Sequence, residues 1–374
     1  MIDFWSYKNE LKIYKNIYFE LYKKTLNSGQ IFFGNNLEKF EKNFIKKNNA
    51  KFGIAVGSGT DALLISLMSL DIKKGDEVIT AANTAIPTIS AIVNSGAIPK
   101  LVDVNQDSLI DINLIEKTIT KRTRAIIPVH LYGKPCQMDK LVRLSKRYNI
   151  HLIEDCAQAQ GAKFKNKFVG TFGSMGCFSF YPTKILGGYG DGGFILTNNF
   201  KLYNKIKKIR FYGIDTSDKK NKFFKKYYAN INGVNSRLDE INSALLNFKL
   251  TKLNSFINKR RKIAKIYDHE LKNTSLQLPK KNTNTFDVFH LYTVEHSKRS
   301  KIRKILSNRG IETRIIYPYP IHKMKAYKNF FKDKKFINSE IKSKKIFSLP
   351  LYPELETNKV LLICKELKKI LNNV

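Results

Sequence analysis

Lys184 stands in the run Phe178-Ser179-Phe180-Tyr181-Pro182-Thr183-Lys184-Ile185-Leu186-Gly187-Gly188-Tyr189-Gly190-Asp191-Gly192-Gly193. Apolar residues before the amine and glycines after it put a lysine where loss of water lowers its pKa, the condition for Schiff-base chemistry. Alone, a lysine near glycines is more often an exposed loop residue, so other residues have to decide. Val56-Gly57-Ser58-Gly59-Thr60-Asp61-Ala62-Leu63 reads as a strand ending in small residues that open a helix. Free N–H groups and the helix dipole there favour phosphate, although Ser58 or Thr60 could be no more than an N-cap. The spacing fits neither the P-loop nor G-x-G-x-x-G, which argues against nucleoside triphosphates and dinucleotides. Ile153-Glu154-Asp155-Cys156-Ala157-Gln158-Ala159-Gln160-Gly161 delivers carboxylates at the end of an apolar strand, the edge where open α/β sheets bind ligands. Asp155 there could hold a protonated pyridine nitrogen or simply cap the next helix.

These residues need a scaffold that gathers them. From about residue 50 to 200, apolar runs alternate with helical segments, the pattern of βαβ units around a mostly parallel sheet. The runs 52–57, 77–82, 100–104, 125–130, 151–154, 177–181 and 193–197 predict seven strands. Residues 60–70, with Leu63, Leu64, Leu67 and Leu70 at helical spacing, predict the first crossover helix. A long helix is predicted from Ser236 by Leu238, Ile241, Leu245 and Phe248, leading out of the sheet. We expect a large α/β domain over residues 1–249 with an N-terminal helix, and a smaller α+β domain over 250–374. The charge-rich segment 215–228 reads as a solvated loop or as a flap over an anionic substrate.

Composition excludes several classes. Hydrophobic content of 43% in 374 residues is that of a globular chain, not a disordered one. The chain reads as cytoplasmic, with neither a membrane-spanning apolar run nor a signal pattern at Met1-Ile2-Asp3-Phe4-Trp5. Cys136, Cys156, Cys177 and Cys364 form no metal-ligand spacing, so we expect free thiols and no metal. The net charge of +36 comes mostly from dispersed lysines without a nucleic-acid recognition signature, so no nucleic-acid partner is expected.

A phosphate cradle, a strand-end aspartate and a later lysine are together the three anchors of pyridoxal 5′-phosphate (PLP). On these residues the chain resembles the DegT/DnrJ/EryC1/StrS sugar aminotransferases, PLP-dependent enzymes of fold type I. The likeness extends through Asn83-Thr84, Pro128-Val129-His130-Leu131-Tyr132-Gly133, Asn235-Ser236-Arg237-Leu238-Asp239-Glu240, Tyr317-Pro318-Tyr319-Pro320-Ile321-His322 and Ser348-Leu349-Pro350-Leu351-Tyr352-Pro353.

The resemblance implies that Lys184 carries the cofactor and moves the proton, that Asp155 holds the pyridine nitrogen, and that Gln158 lies near the phenolic oxygen. It implies Gly59, Thr60 and Ser179 at the phosphate, joined by Asn235 from the other subunit of a homodimer with shared sites. Tyr317, His322 and Arg237 are candidate substrate contacts, the first two equally readable as a packed loop. Where the family often has an aromatic over the ring, this chain has Ala85. Relatives with His in place of the lysine are dehydratases, which Lys184 argues against. The resemblance further implies amino transfer from L-glutamate to a dTDP-, UDP- or GDP-linked keto hexose. Gly190-Asp191-Gly192-Gly193 and Asp61 lean towards C3, the alternatives being C4 or a non-catalytic regulatory protein that binds PLP.

Overall fold

Seven short strands form the central sheet, which we label in chain order β1 (Phe52–Val56), β2 (Glu77–Ala81), β3 (Ile98–Val102), β4 (Thr123–Ile127), β5 (His151–Asp155), β6 (Met175–Ser179) and β7 (Gly193–Thr197). The computed structural model describes residues 1–215 and 227–373. The charge-rich segment read as a loop or flap therefore lies almost wholly outside the described residues. The spatial order is β1-β7-β6-β5-β4-β2-β3. Pairs from β6 through β5, β4 and β2 to β3 are parallel, while β7 is antiparallel to both β1 and β6. Helices cover both faces, so most strands read as unbroken apolar runs instead of alternating ones.

The expected seven-stranded, mostly parallel sheet is present, with shifted boundaries. β3 starts at Ile98 and not at Lys100, β4 at Thr123 and not at Ala125, and β6 at Met175 and not at Cys177. The first crossover helix is Gly59–Ser69. On one face, Phe40 and Phe44 pack against Phe178, Phe180 and Phe194, with centroids as close as 4.6 Å for Phe44 and Phe194. Such pairs add about 0.5–1.5 kcal/mol each to the burial of their area and fix the two strands that flank the Lys184 turn.

The long helix spans Glu240–Leu271 and does not start at Ser236. Asp239 is its N-cap, accepting from the Asn242 N–H at 2.7 Å, because the Ser236 hydroxyl is engaged elsewhere. Glu240, 1% exposed, accepts N–H bonds from Gly34, Asn36 and Leu37 and so caps the helix Asn35–Lys47 from its own first turn. The long helix is continuous through residues 249 and 250. Its first half packs with the sheet through Leu246, Leu250 and Leu253. Its second half packs through Ile263, Tyr267 and Leu271 with Tyr292, Phe347, Val360 and Leu367. That C-terminal region holds the antiparallel pair Tyr292–Glu295 and Ile346–Leu349 with helices Arg299–Asn308, Ile337–Lys345 and Thr357–Leu371. Among the described residues no helix is long and apolar enough to cross a membrane.

Candidate active site

Lys184 is held by a turn that only glycines close. The backbone runs out of β6, Phe180 N–H donates to Gly192 at 2.7 Å, and Gly188 N–H returns to Phe180 at 2.8 Å. A Cβ on Gly187 would stand 2.1 Å from the Pro182 carbonyl oxygen. The Lys184 N–H donates to Tyr181 at 2.8 Å, which fixes where the side chain starts. Burial lowers the amine from 10.5 to about 8, and the nearby Asp155 charge offsets only part of that. A fraction of the amine is therefore neutral and nucleophilic near neutral pH.

Asp155 ends β5, 3% exposed, with its carbonyl accepting from His130 N–H at 3.0 Å and its N–H donating to Pro128 at 2.9 Å. Its Oδ2 accepts from the Thr88 hydroxyl at 2.8 Å and its Oδ1 from Ala157 N–H at 3.1 Å. Burial raises its pKa in spite of those donors and of the Lys184 charge. A carboxylate so enclosed gains from a cation placed against it, as a pyridinium N–H would be. Thr88 went unread in the sequence; its place one helical turn after Thr84, on the helix Ile86–Asn94, gave no signal of its own.

The neighbouring Glu154 has a structural task. It accepts from the N–H groups of Gly170, Phe172 and Gly173 and lies 3.2 Å from His130 Nε2. His130 Nδ1 accepts from Cys136 N–H at 3.0 Å, so Nε2 carries the proton and donates to Glu154. The group His130, Glu154 and Cys156 would be within metal-ligand reach, but its nitrogen and carboxylate donors are already engaged by these bonds. All four cysteines are free and buried.

At the start of the helix Gly59–Ser69, the Ser58 hydroxyl accepts from Asp61 N–H at 3.0 Å, which makes Ser58 the N-cap and leaves Thr60 out of that role. A Cβ on Gly59 would lie 2.7 Å from Ser179 Cβ. The helix N-terminus and the Ser179 hydroxyl thus close on each other with room for glycine alone, a cradle suited to an anion. Ser236 braces it: its hydroxyl donates to Asp61 at 2.7 Å and accepts from Gly57 N–H at 2.8 Å. Asn235, next in the chain, is exposed with no side-chain partner among the described residues. The Arg237 guanidinium lies 4.6 Å from the Phe32 ring centroid.

Gln158, 4% exposed, accepts from Tyr132 N–H at 2.7 Å and donates to the Tyr317 hydroxyl at 3.0 Å, which leaves one amide N–H for a ligand. Burial raises the Tyr317 pKa, with the Asp155 charge adding to it. Tyr317 thus joins the Asp155 cluster. His322 does not join it through any bond: its Nε2 is 3.0 Å from Glu340 and its ring lies 4.8 Å from that of Phe336. Ala85 is the N-cap residue of the helix that carries Thr88.

An anion cradle, a buried carboxylate and a lysine amine at the carboxyl edge of a mostly parallel sheet are suited to amine–carbonyl chemistry. The profile of the DegT/DnrJ/EryC1/StrS aminotransferase family matches residues 14–368. The chain is 36% identical over 358 residues to the dTDP-3-amino-3,4,6-trideoxy-alpha-D-glucose transaminase of Micromonospora megalomicea subsp. nigra, covering 94% of each chain. It is 39% identical over 339 residues to the dTDP-3-amino-3,6-dideoxy-alpha-D-galactopyranose transaminase of Aneurinibacillus thermoaerophilus, covering 90% of each. The crystal structure of S. venezuelae DesV in complex with a ketimine intermediate matches it with a TM-score of 0.95 at 35% identity, over 100% of this chain and 99% of that one. The chain belongs to the DegT/DnrJ/EryC1/StrS aminotransferase family and is an aminotransferase of the PLP-dependent fold.

Proposed function

We propose that this enzyme transfers the amino group of L-glutamate to the C3 carbonyl of a nucleotide-linked keto hexose. The observation that carries the reading is the Lys184 amine, lowered to about 8 beside the buried carboxylate of Asp155. Two relatives named for 3-amino sugar products support C3. The test is a screen of the purified protein with glutamate and matched 3-keto and 4-keto sugar nucleotides, read by product mass. Amination of the 4-keto series alone would move the reading to C4.

In this reading Gly59, Thr60 and Ser179 hold the phosphate of PLP, Asp155 its ring nitrogen, and the remaining Gln158 N–H its phenolic oxygen. Bound there, PLP supplies an aldehyde to carry the amino group and a ring that withdraws electrons. Lys184, neutral in part near pH 8, would accept the proton of the donor carbon and hold it for return. We read the chain as a PLP-binding part, 1–249, and a smaller part, 250–374; the separate apolar clusters around the two halves of the long helix support this. Gly59→Ala should weaken retention of PLP at least about tenfold in equilibrium dialysis, because the added methyl pushes Ser179 away from the cradle. Unchanged retention would place the phosphate elsewhere.

The exposed Asn235, beside a cradle that Ser236 already braces, supports its role in the other subunit's site of a homodimer. If so, mixing inactive Lys184→Ala with inactive Asn235→Asp should regenerate up to about a quarter of wild-type activity. Half the randomly formed dimers are hybrids and each hybrid has one intact site out of two. No recovery after verified subunit exchange would mean that Asn235 serves its own chain.

A further inference from the structure

A cavity of about 320 Å³ adjoins the Lys184 turn through Thr183, within the usual range of small-molecule sites. Phe4, Trp5, Ile316 and Leu351 make its apolar wall, and Thr183, His290, Glu312 and Arg314 are its polar groups. Its N-terminal wall is fixed in place. Ile2 N–H donates to Gly310 at 2.7 Å, Glu312 N–H donates to Ile2 at 3.0 Å, and Phe4 N–H donates to Glu312 Oε2 at 2.9 Å. Residues 2–4 thus lie along residues 310–312 like a short added strand, which sets the pose of Trp5. Behind the cavity, Arg260 of the long helix donates to the carbonyls of His290 at 3.1 Å and Leu351 at 3.0 Å. Two of the lining residues are thereby tied to one buried guanidinium.

His290 is 7% exposed, and its Nδ1 has no hydrogen-bond partner among the described residues. Burial and the neighbouring Lys184 and Arg260 charges hold the ring well below its usual pKa, hence neutral. A neutral imidazole offers one donor and one acceptor, the pair that a hydroxyl or a carbonyl can use.

Which substrate this chamber suits follows from its charges. A dicarboxylate needs cations free to meet it, but Arg314 is already paired with Glu312. The walls are aromatic and aliphatic, which suits the C–H faces of a sugar ring better than a glutamate side chain.

Building on the amino-sugar reading, we propose that this cavity receives the hexose ring of the acceptor, with the Trp5 indole as its stacking wall and His290 as a hydrogen-bonding partner of the ring oxygens. Trp5 thereby becomes a specificity-determining residue, and the amino donor reaches Lys184 without touching it.

Trp5 is the only tryptophan of the chain, so its emission reports on this wall alone. Holoenzyme titrated with dTDP-glucose or UDP-glucose, which carry a hydroxyl where the acceptor carries a carbonyl, should show a saturable change in tryptophan emission. Free dTDP, free UDP and L-glutamate should not produce it. In kinetics, Trp5→Ala should raise KM for the keto sugar nucleotide about tenfold or more, and raise KM for L-glutamate far less. Trp5→Phe, which keeps a flat face, should recover most of the loss. His290→Leu should lower kcat/KM for the acceptor by a similar factor.

An unchanged acceptor KM in Trp5→Ala would overturn the assignment. So would an equal emission change with free dTDP or UDP, which would put the base and not the sugar against the indole. A wild-type enzyme that converts glutamate to 2-oxoglutarate yet aminates no keto sugar nucleotide would instead overturn the acceptor reading itself, and this subsite with it.

Discussion

Lys184→Ala is expected to lower transamination by at least about 10⁴-fold, because in the proposed reading one side chain supplies both the covalent attachment and the proton transfer. The variant should still retain PLP, since the Gly59 and Ser179 cradle and the Asp155 carboxylate lie on other elements. Lys184→Arg is the sharper control. It keeps the positive charge beside Asp155 but cannot give up its proton, so it should be as inactive as alanine if the neutral amine is what matters. Borohydride treatment of the wild-type holoenzyme should fix the cofactor to the peptide containing Lys184, and a label recovered elsewhere would remove the lysine from its role. The pH dependence has a definite sign. Only the uncharged amine captures an aldehyde, so the rate at which apoprotein captures PLP should rise with pH through a midpoint near 8, not near the 10.5 of an ordinary lysine. A midpoint near 10.5 would mean that the turn leaves the amine in water.

How far the sequence carried this site depended on distance along the chain. The Lys184 turn, the Gly57–Thr60 loop and Asp155 were legible because each lies in one short run whose residue types state its chemistry. Strand boundaries were less so. Pro99 masks the start of β3, where an edge strand tolerates a residue without an N–H. Gly176 masks the start of β6, where the Gly170 backbone would lie 2.3 Å from any Cβ and only glycine fits. Ser236 resembles a helix start, yet its hydroxyl is engaged by Gly57 and Asp61, some 175 residues earlier in the chain, and Asp239 caps the helix instead. The contacts of Thr88 with Asp155, of Gln158 with Tyr317, and of Phe4 with Glu312 join segments 67, 159 and 308 residues apart. Periodicity and motif spacing describe neighbours in sequence, so none of these pairings could be read before the sheet had brought them together.

Asp155→Asn is the substitution that separates electronics from architecture. The amide can keep both contacts only by reversing one, its oxygen accepting from Ala157 N–H and its NH2 donating to the Thr88 hydroxyl, which can turn to accept. What it loses is the anion that a protonated ring nitrogen needs. Turnover should therefore fall about 10²–10³-fold in kcat, the usual cost of removing one preorganised electrostatic partner, while the melting temperature and PLP content change little. Relief of a buried charge works in the variant's favour for stability, because burial raises the Asp155 pKa even with Lys184 and two donors beside it. An Asp155→Asn enzyme at least as stable as wild type and much slower is thus the signature of a residue kept for catalysis and not for folding. Asp155→Glu should lie between the two if the longer chain still reaches the ring. Near wild-type turnover in Asp155→Asn would reduce this carboxylate to a turn cap for Ala157, and the electron-withdrawing role would have to be abandoned.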